Sequence, residues 1–283
     1  MNSTVTSKSA TGITLWLMLM FLFNACAAAA TCSPARVDVG GYRVWMQVAG
    51  EGEPTVVFEN GGGDDASVWM KVEPEVRHHS GVRTVLYDRA GLGQSEPKPG
   101  PYSIDNEVAA LEQALRQCGV NGPIVLVAHS YGGFVSMLMA ANDHRVAGIV
   151  FVDANLPGFF DDAEVKRIQA VYTPQFGALQ RAKPELARVM IPLMQAYPET
   201  AKRVRSVNIP LTLPVIDIVA EKTWVDTPQE VAAMRQTHAS FVAASPARQA
   251  VFAKGSSHQV MKDRPDLVID AVERMVVRVR DRK

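Results

Sequence analysis

The stretch Ile-Val-Leu-Val-Ala-His-Ser-Tyr-Gly-Gly, residues 124–133, constrains the fold of this chain more than any other. Its four opening apolar residues are mostly β-branched and read as a strand buried on both faces, the kind found inside a parallel sheet. The chain then turns abruptly at Ala128-His129-Ser130-Tyr131-Gly132 and continues with Phe134, Met137, Leu138 and Ala141 at helical spacing. Such a turn lifts the Ser130 hydroxyl above the sheet edge, and the helix N-terminus behind it favours negative charge nearby. In the pattern G-x-S-x-G the first glycine is replaced here by Ala128, small enough for strand and helix to pass closely. The string alone is weak evidence; between a buried strand and a helix it is strong.

The remaining chain supplies a sheet around this stretch. Residues 35–48 read as an opening β-hairpin about Gly40-Gly41, and Thr55 to Glu59 as the first buried strand, running into Asn60-Gly61-Gly62-Gly63 and a short helix around Trp69. Val82 to Tyr87 is the next strand, followed by Asp88-Arg89-Ala90-Gly91-Leu92-Gly93-Gln94-Ser95 and a helix over 104–118. Val146 to Val152 closes on Asp153-Ala154-Asn155, and strands resume at Pro214 to Val219 and near Gln249 to Phe252. A final helix starts by Pro265. Strands alternating with helices give an α/β fold, a mostly parallel, doubly wound sheet with helices on both faces. At 283 residues and 47% hydrophobic composition the chain suits one such domain, residues 31–283. Residues 157–210 break the rhythm: they are helical in pattern, punctuated by Pro174, Pro184, Pro192 and Pro198, and read as a helical cap inserted over the strand ends. Phe159, Phe160, Tyr172, Phe176, Met190, Met194 and Tyr197 are its candidate pocket residues, although each alone more often packs a cap onto a sheet.

The N-terminus is a separate matter. Ile13 to Phe23 is a continuous apolar run, preceded by Lys8 and followed by an alanine-rich tail, which reads as a signal peptide over residues 1–30 cut after Ala30. An exported protein, periplasmic or secreted, is the expectation. An uncleaved anchor is one alternative, and a lipoprotein acylated at Cys26 is another. Beyond Ala30 stand Cys32 and Cys118, which export would allow to oxidise. Cys118 also continues the apolar stripe of Ile104, Val108, Leu111 and Leu115, so a buried thiol and a disulfide both stay open. With 29 Lys and Arg against 29 Asp and Glu, nothing invites nucleic acid or an anionic membrane surface; the expected partner is a small, mostly neutral molecule. No C-x-x-C or H-E-x-x-H spacing occurs, and no metal or cofactor is implied.

Four segments in order, Asn60-Gly61-Gly62-Gly63, Asp88 to Ser95, Ala-His-Ser-Tyr-Gly and Gly255-Ser256-Ser257-His258, resemble the α/β-hydrolase fold superfamily, in its serine-esterase-like form with a helical cap, over roughly residues 35–280. The chemistry asks for these residue types on its own terms. A serine hydroxyl is a poor nucleophile until a positioned base takes its proton. Ser130 is the candidate nucleophile and His258 the base, in the superfamily order Ser…acid…His. His129 reads as structural, His78 and His79 as solvated, and His144 and His238 have no partner that sequence names. Acyl transfer also needs donors for a developing oxyanion. The resemblance assigns them to the backbone N–H of Tyr131 and to Gly62, with Gly63 its neighbour. For the acid two places compete. Many relatives carry it after the strand that follows the cap, where this chain has Thr223, with Glu221 and Asp226 nearby. The strand before the cap ends in Asp153 and resembles the haloalkane dehalogenases, whose acid stands there; this position is favoured. Those dehalogenases use an aspartate where Ser130 stands, which argues against their reaction.

These residues imply an exported serine hydrolase cleaving a carboxylic ester or related acyl bond through Ser130, His258 and Asp153. Lactonase, amidase or peptidase, C–C hydrolase and cofactor-free perhydrolase chemistries run on the same constellation, and a ligand-binding protein on this scaffold is the rival from another class.

Overall fold

Short apolar alternation starts the sheet as a hairpin, β1 (Ala35–Asp38) against β2 (Arg43–Ala49), antiparallel and turning on Gly40 and Gly41, both at positive φ. The computed structural model describes residues 1–2 and 32–282; the expected leader from residue 3 onward, with Cys26 and the cut after Ala30, falls outside the described residues. β3 (Thr55–Glu59) is buried throughout and is followed by a 3-10 turn at Ala66–Trp69 and then α1 (Glu73–Ser80), a helix the sequence reading did not separate from that turn. β4 (Thr84–Tyr87), α2 (Ile104–Gln117), β5 (Ile124–His129), α3 (Gly132–Asn142) and β6 (Val146–Val152) follow.

Between β6 and β7 (Val215–Ala220) the chain forms four helices: α4 (Asp162–Tyr172), α5 (Phe176–Ala182), α6 (Pro184–Gln195) and α7 (Tyr197–Arg205). The prolines explain the segmentation. Pro184 and Pro198 stand in the first turns of α6 and α7, where a missing N–H costs nothing, and Pro192 lies inside α6 near its end. α8 (Pro228–Ala243), β8 (Arg248–Ala253), α9 (Val260–Asp263) and α10 (Pro265–Arg280) complete the order.

The eight strands lie in the order β1-β2-β4-β3-β5-β6-β7-β8, with β1, β2 and β4 joined antiparallel and every later pairing parallel. This is the mostly parallel, doubly wound α/β sheet. Alternation along β5 feeds both layers: Leu126 and Ala128 pack in the core that holds α2 and α3, Val125 and Val127 in the core of α1 and α10. Cys32 and Cys118 are joined in a disulfide with Cα atoms 5.5 Å apart, tying the segment before β1 to the end of α2. Both cysteines are buried, so the apolar stripe and the bond coexist. Among the described residues no helix is long and apolar enough to cross a membrane.

Candidate active site

The parallel strands β3, β5, β6, β7 and β8 all end on one edge of the sheet, and the candidate residues stand just beyond those ends. Ser130 follows β5 with φ 51°, and Asp153 follows β6 with φ 45°. Among the described residues these are the only non-glycine positions in the left-handed region, a state costing on the order of 1–3 kcal/mol each and concentrated at functional sites. The neighbouring backbone holds the turn. The Ser130 carbonyl accepts from Gly133 N–H at 2.9 Å and from Asn155 N–H at 2.8 Å. Gly132 must be glycine, since a Cβ there would lie 2.6 Å from Glu59 Cγ and 2.7 Å from the Asn60 carbonyl.

His258 lies in the turn after β8 with Nδ1 2.6 Å from Asp153 Oδ2. Asp153 also accepts the Ala220 N–H at 3.0 Å and the Thr223 hydroxyl at 2.8 Å. Burial alone would push this carboxyl up, but the hydrogen bond and charge of His258, with the Ala220 and Thr223 donors, outweigh it and hold Asp153 below the usual carboxylate range. An ionised carboxylate only accepts, so the bridging proton sits on His258 Nδ1 and the neutral ring keeps its lone pair on Nε2.

A second histidine fixes the same loop. His129 Nε2 donates to the His258 carbonyl at 3.0 Å, and the two rings lie 4.5 Å apart. Its Nδ1 stands 3.3 Å from Asp64, while burial pulls its pKa below the ordinary histidine value.

The other acid candidates do different work. Glu221 Oε2 accepts the Gly255 N–H at 2.6 Å, bracing the loop that carries His258. Asp226 is exposed. Thr223, at the place where many relatives carry the acid, donates to Asp153 instead. His238, which the sequence left without a partner, bonds Asp217 at 2.8 Å in the interior, and His79 pairs with Glu273 at the surface.

On the other side of Ser130 the turn after β3 is pinned through Asn60, whose amide donates to the Tyr87 carbonyl at 2.8 Å and accepts from Trp69 Nε1 at 2.9 Å. Arg89 donates to the Gly61 carbonyl and, at 2.8 Å, to the Gly62 carbonyl. A Cβ on Gly62 would lie 3.7 Å from Tyr131 Cβ, so the two expected oxyanion segments touch. Gly62, Ser130, Tyr131 and His258 open onto one cavity of about 610 Å³ under the four inserted helices. Of the seven candidate pocket residues, Tyr172, Phe176, Met190, Met194 and Tyr197 line it. Phe159 and Phe160 do not; they are buried, Phe160 against Phe134 and Trp224. A larger groove of about 840 Å³, between the ends of the insertion and α8, contains neither Ser130 nor His258.

Asn155 and Trp224 line the cavity without having been read from sequence, and Asn155 Nδ2 bonds the Tyr197 hydroxyl at 3.1 Å. Asn155 had one available signal, its place two residues after Asp153. Among the described residues no cluster of three or more His, Cys, Asp or Glu side chains is placed to hold a metal ion.

Comparison with known proteins agrees with this architecture. The Bacillus subtilis (strain 168) protein YqjL, described as uncharacterized, is 28% identical over 221 residues, 76% of this chain and 80% of that one. Lipase LipV of Mycobacterium tuberculosis (strain ATCC 25618 / H37Rv) is 34% identical over 103 residues, covering 36% of this chain and 38% of the lipase. Among solved structures, a bromoperoxidase from Bacillus anthracis superposes with TM-score 0.66 at 18% identity, over 86% of this chain and 99% of that one. A thermophilic esterase from Thermogutta terrifontis gives TM-score 0.59 at 20% identity, over 86% and 97%. At these identities the structures speak for the fold. The family model described as "Alpha/beta hydrolase family" matches residues 56–271, most of the chain, and the protein belongs to the alpha/beta hydrolase family.

Proposed function

We propose that the protein is an exported serine hydrolase that cleaves a carboxylic ester or related acyl bond. The observation that carries this reading is the 2.6 Å bond between the buried Asp153 and Nδ1 of His258, which lines one cavity together with Ser130. In the proposed reaction His258 Nε2 takes the Ser130 proton as Oγ attacks the acyl carbon. Asp153 keeps the imidazole in the required tautomer and stabilises the imidazolium without itself being protonated. The N–H groups of Tyr131 and Gly62 receive the negative oxygen of the tetrahedral intermediate. Its collapse breaks the bond to the leaving alkoxide, which takes the proton from His258, and leaves an acyl-Ser130. Water, deprotonated by His258, attacks that ester; the acid departs and Ser130 regains its proton.

The cavity fits a small, mostly neutral acyl substrate: its walls are mostly apolar, and Lys183 at its exposed rim is the only Lys, Arg, Asp or Glu among the lining residues. No metal or cofactor takes part in the scheme. The buried Cys32–Cys118 disulfide supports export, since such bonds persist in oxidising compartments. Neither nucleic acid nor a membrane enters the proposal beyond the N-terminal leader or a lipid on Cys26.

The test is a panel of p-nitrophenyl esters, lactones and amides against wild type, Ser130→Ala and His258→Ala. Ester turnover by wild type with a loss of at least roughly 10³-fold in kcat in either variant is expected. Binding of the same compounds without turnover by folded wild type would favour the ligand-binding reading instead.

A further inference from the structure

We infer that Arg89 is a positioning residue of the oxyanion hole: by holding the Gly61 and Gly62 carbonyls it turns both the Gly62 and the Gly63 N–H toward the cavity beside Ser130. The inference rests on the serine-hydrolase reading above and adds Gly63 as a second loop donor. Arg89 follows β4, and its guanidinium is buried. Its Nη2 is shared between the two carbonyls.

A trans peptide is planar, with each C=O antiparallel to the N–H of the next residue. The cis peptides of the described chain are at Pro34 and Pro54, so both glycine peptides here are trans. Fixing the Gly61 carbonyl on Arg89 therefore points the Gly62 N–H away from it, and fixing the Gly62 carbonyl does the same for Gly63. Gly62 and Gly63 line the cavity with Ser130, whereas Arg89 does not, so the side away from Arg89 is the cavity side. The same guanidinium lies 5.3 Å from the centroid of the Tyr131 ring. One cation thus contacts the glycine loop through its carbonyls and Tyr131 through its ring.

Arg89 is held in turn. Its Nη1 is 3.9 Å from Glu59 Oε1 and its Nε 3.7 Å from Glu107 Oε2, both carboxylates shielded from solvent. The two acidic side chains face different edges of the planar fork, beyond hydrogen-bond distance, an arrangement that a lysine ammonium on a flexible stem cannot reproduce. Burial pushes the Glu59 carboxyl up to about 8, and Glu107 upward as well, so at neutral pH the cluster does not hold two full negative charges against one positive. The Tyr87 hydroxyl donates to the other Glu59 oxygen and fixes its orientation.

The experiment uses the full chain with Arg89→Lys, the charge-compensated pair Arg89→Met with Glu107→Gln, and Val276→Ala as a destabilised control with its lesion in α10. Three quantities are measured: kcat and KM for an ester that wild type turns over, the inhibition constant of an alkylboronic acid whose adduct on Ser130 mimics the tetrahedral intermediate, and the thermal midpoint. Both Arg89 variants should lose about 100-fold in kcat, the scale of one oxyanion donor, with KM within about threefold. Boronate affinity should fall by the same factor as kcat/KM, while Val276→Ala stays near wild type in both. In wild type, boronate binding should shift the amide proton resonances of both Gly62 and Gly63, a readout that needs no variant to fold. Unchanged kcat in folded Arg89 variants, a loss matched by Val276→Ala, or boronate shifts that spare both glycines would overturn the assignment. Wild-type turnover that survives Ser130→Ala would instead sink the underlying reading and this inference with it.

Discussion

Ser130 and Asp153 occupy the same uncommon backbone state at the ends of neighbouring strands, and each is held there by bonds to its surroundings. Ser130 is fixed through its carbonyl, Asp153 through three donors on its carboxylate. Asp153→Asn should keep the fold and lower kcat by about 10⁴-fold, because an amide there no longer fixes the His258 tautomer. Glu221→Gln and Asp226→Asn should leave kcat within a few fold. A collapse in either of the latter would move the acid to β7. Steady-state kinetics on the three variants separates these cases. Ser130 and His258 stand out as candidates in sequence because local motifs mark them. The pairing of His258 with the favoured Asp153 is not marked locally, since 105 residues separate the two and only the fold closes that distance. Thr223 shows the same limit: its position was noticed, but its bond to Asp153 depends on how β6 and β7 lie side by side.

Elements were legible wherever apolar period and length agreed. The fully buried strand β3 has the ends expected of it, Thr55 and Glu59, whereas β5 runs past its four apolar residues into the expected turn, through Ala128 to His129, and β4 starts two residues later than expected, at Thr84 rather than Val82. α8 was not identified, although it carries a strong start signal. Thr227 accepts the Glu230 N–H at 3.2 Å, the Glu230 carboxylate reaches back to the Thr227 N–H at 3.2 Å, and Pro228 stands in the first turn. Its weak apolar periodicity hid it, because Met234 and His238 are its only buried residues. Thr227→Ala should cost about 1 kcal/mol, read as a drop of roughly 2–4 °C in thermal midpoint for a domain this size. It should leave kcat unchanged, since α8 lies outside the catalytic machinery.

At the scale of the molecule, one sheet edge gathers residues from four strand ends, and the inserted helices roof the resulting cavity. That division was readable from the loss of β/α rhythm after residue 157; which side chains face the cavity was not, because it depends on how each helix is rotated over the sheet. The disulfide closes a separation of 86 residues and in the chain-entropy account stabilises by roughly 4–5 kcal/mol. The buried Glu59 couples the whole fold to pH. Its folded-state pKa, about 8, lies above that of an unfolded glutamate, so its contribution is complete below the unfolded value and is lost as pH rises through 8. Denaturant unfolding should therefore show stability falling toward pH 8 with a slope of up to about 1.4 kcal/mol per pH unit from this group. Glu59→Gln should remove that slope; an unchanged slope would place its origin elsewhere.

Ser130 as an activated nucleophile is tested by intact-mass analysis of the purified protein after treatment with a fluorophosphonate, with the modified peptide then sequenced. One adduct per chain is expected, carried by Ser130, absent from Ser130→Ala and strongly slowed in His258→Ala. A folded wild-type protein that stays unmodified, or an adduct on any residue other than Ser130, would contradict it.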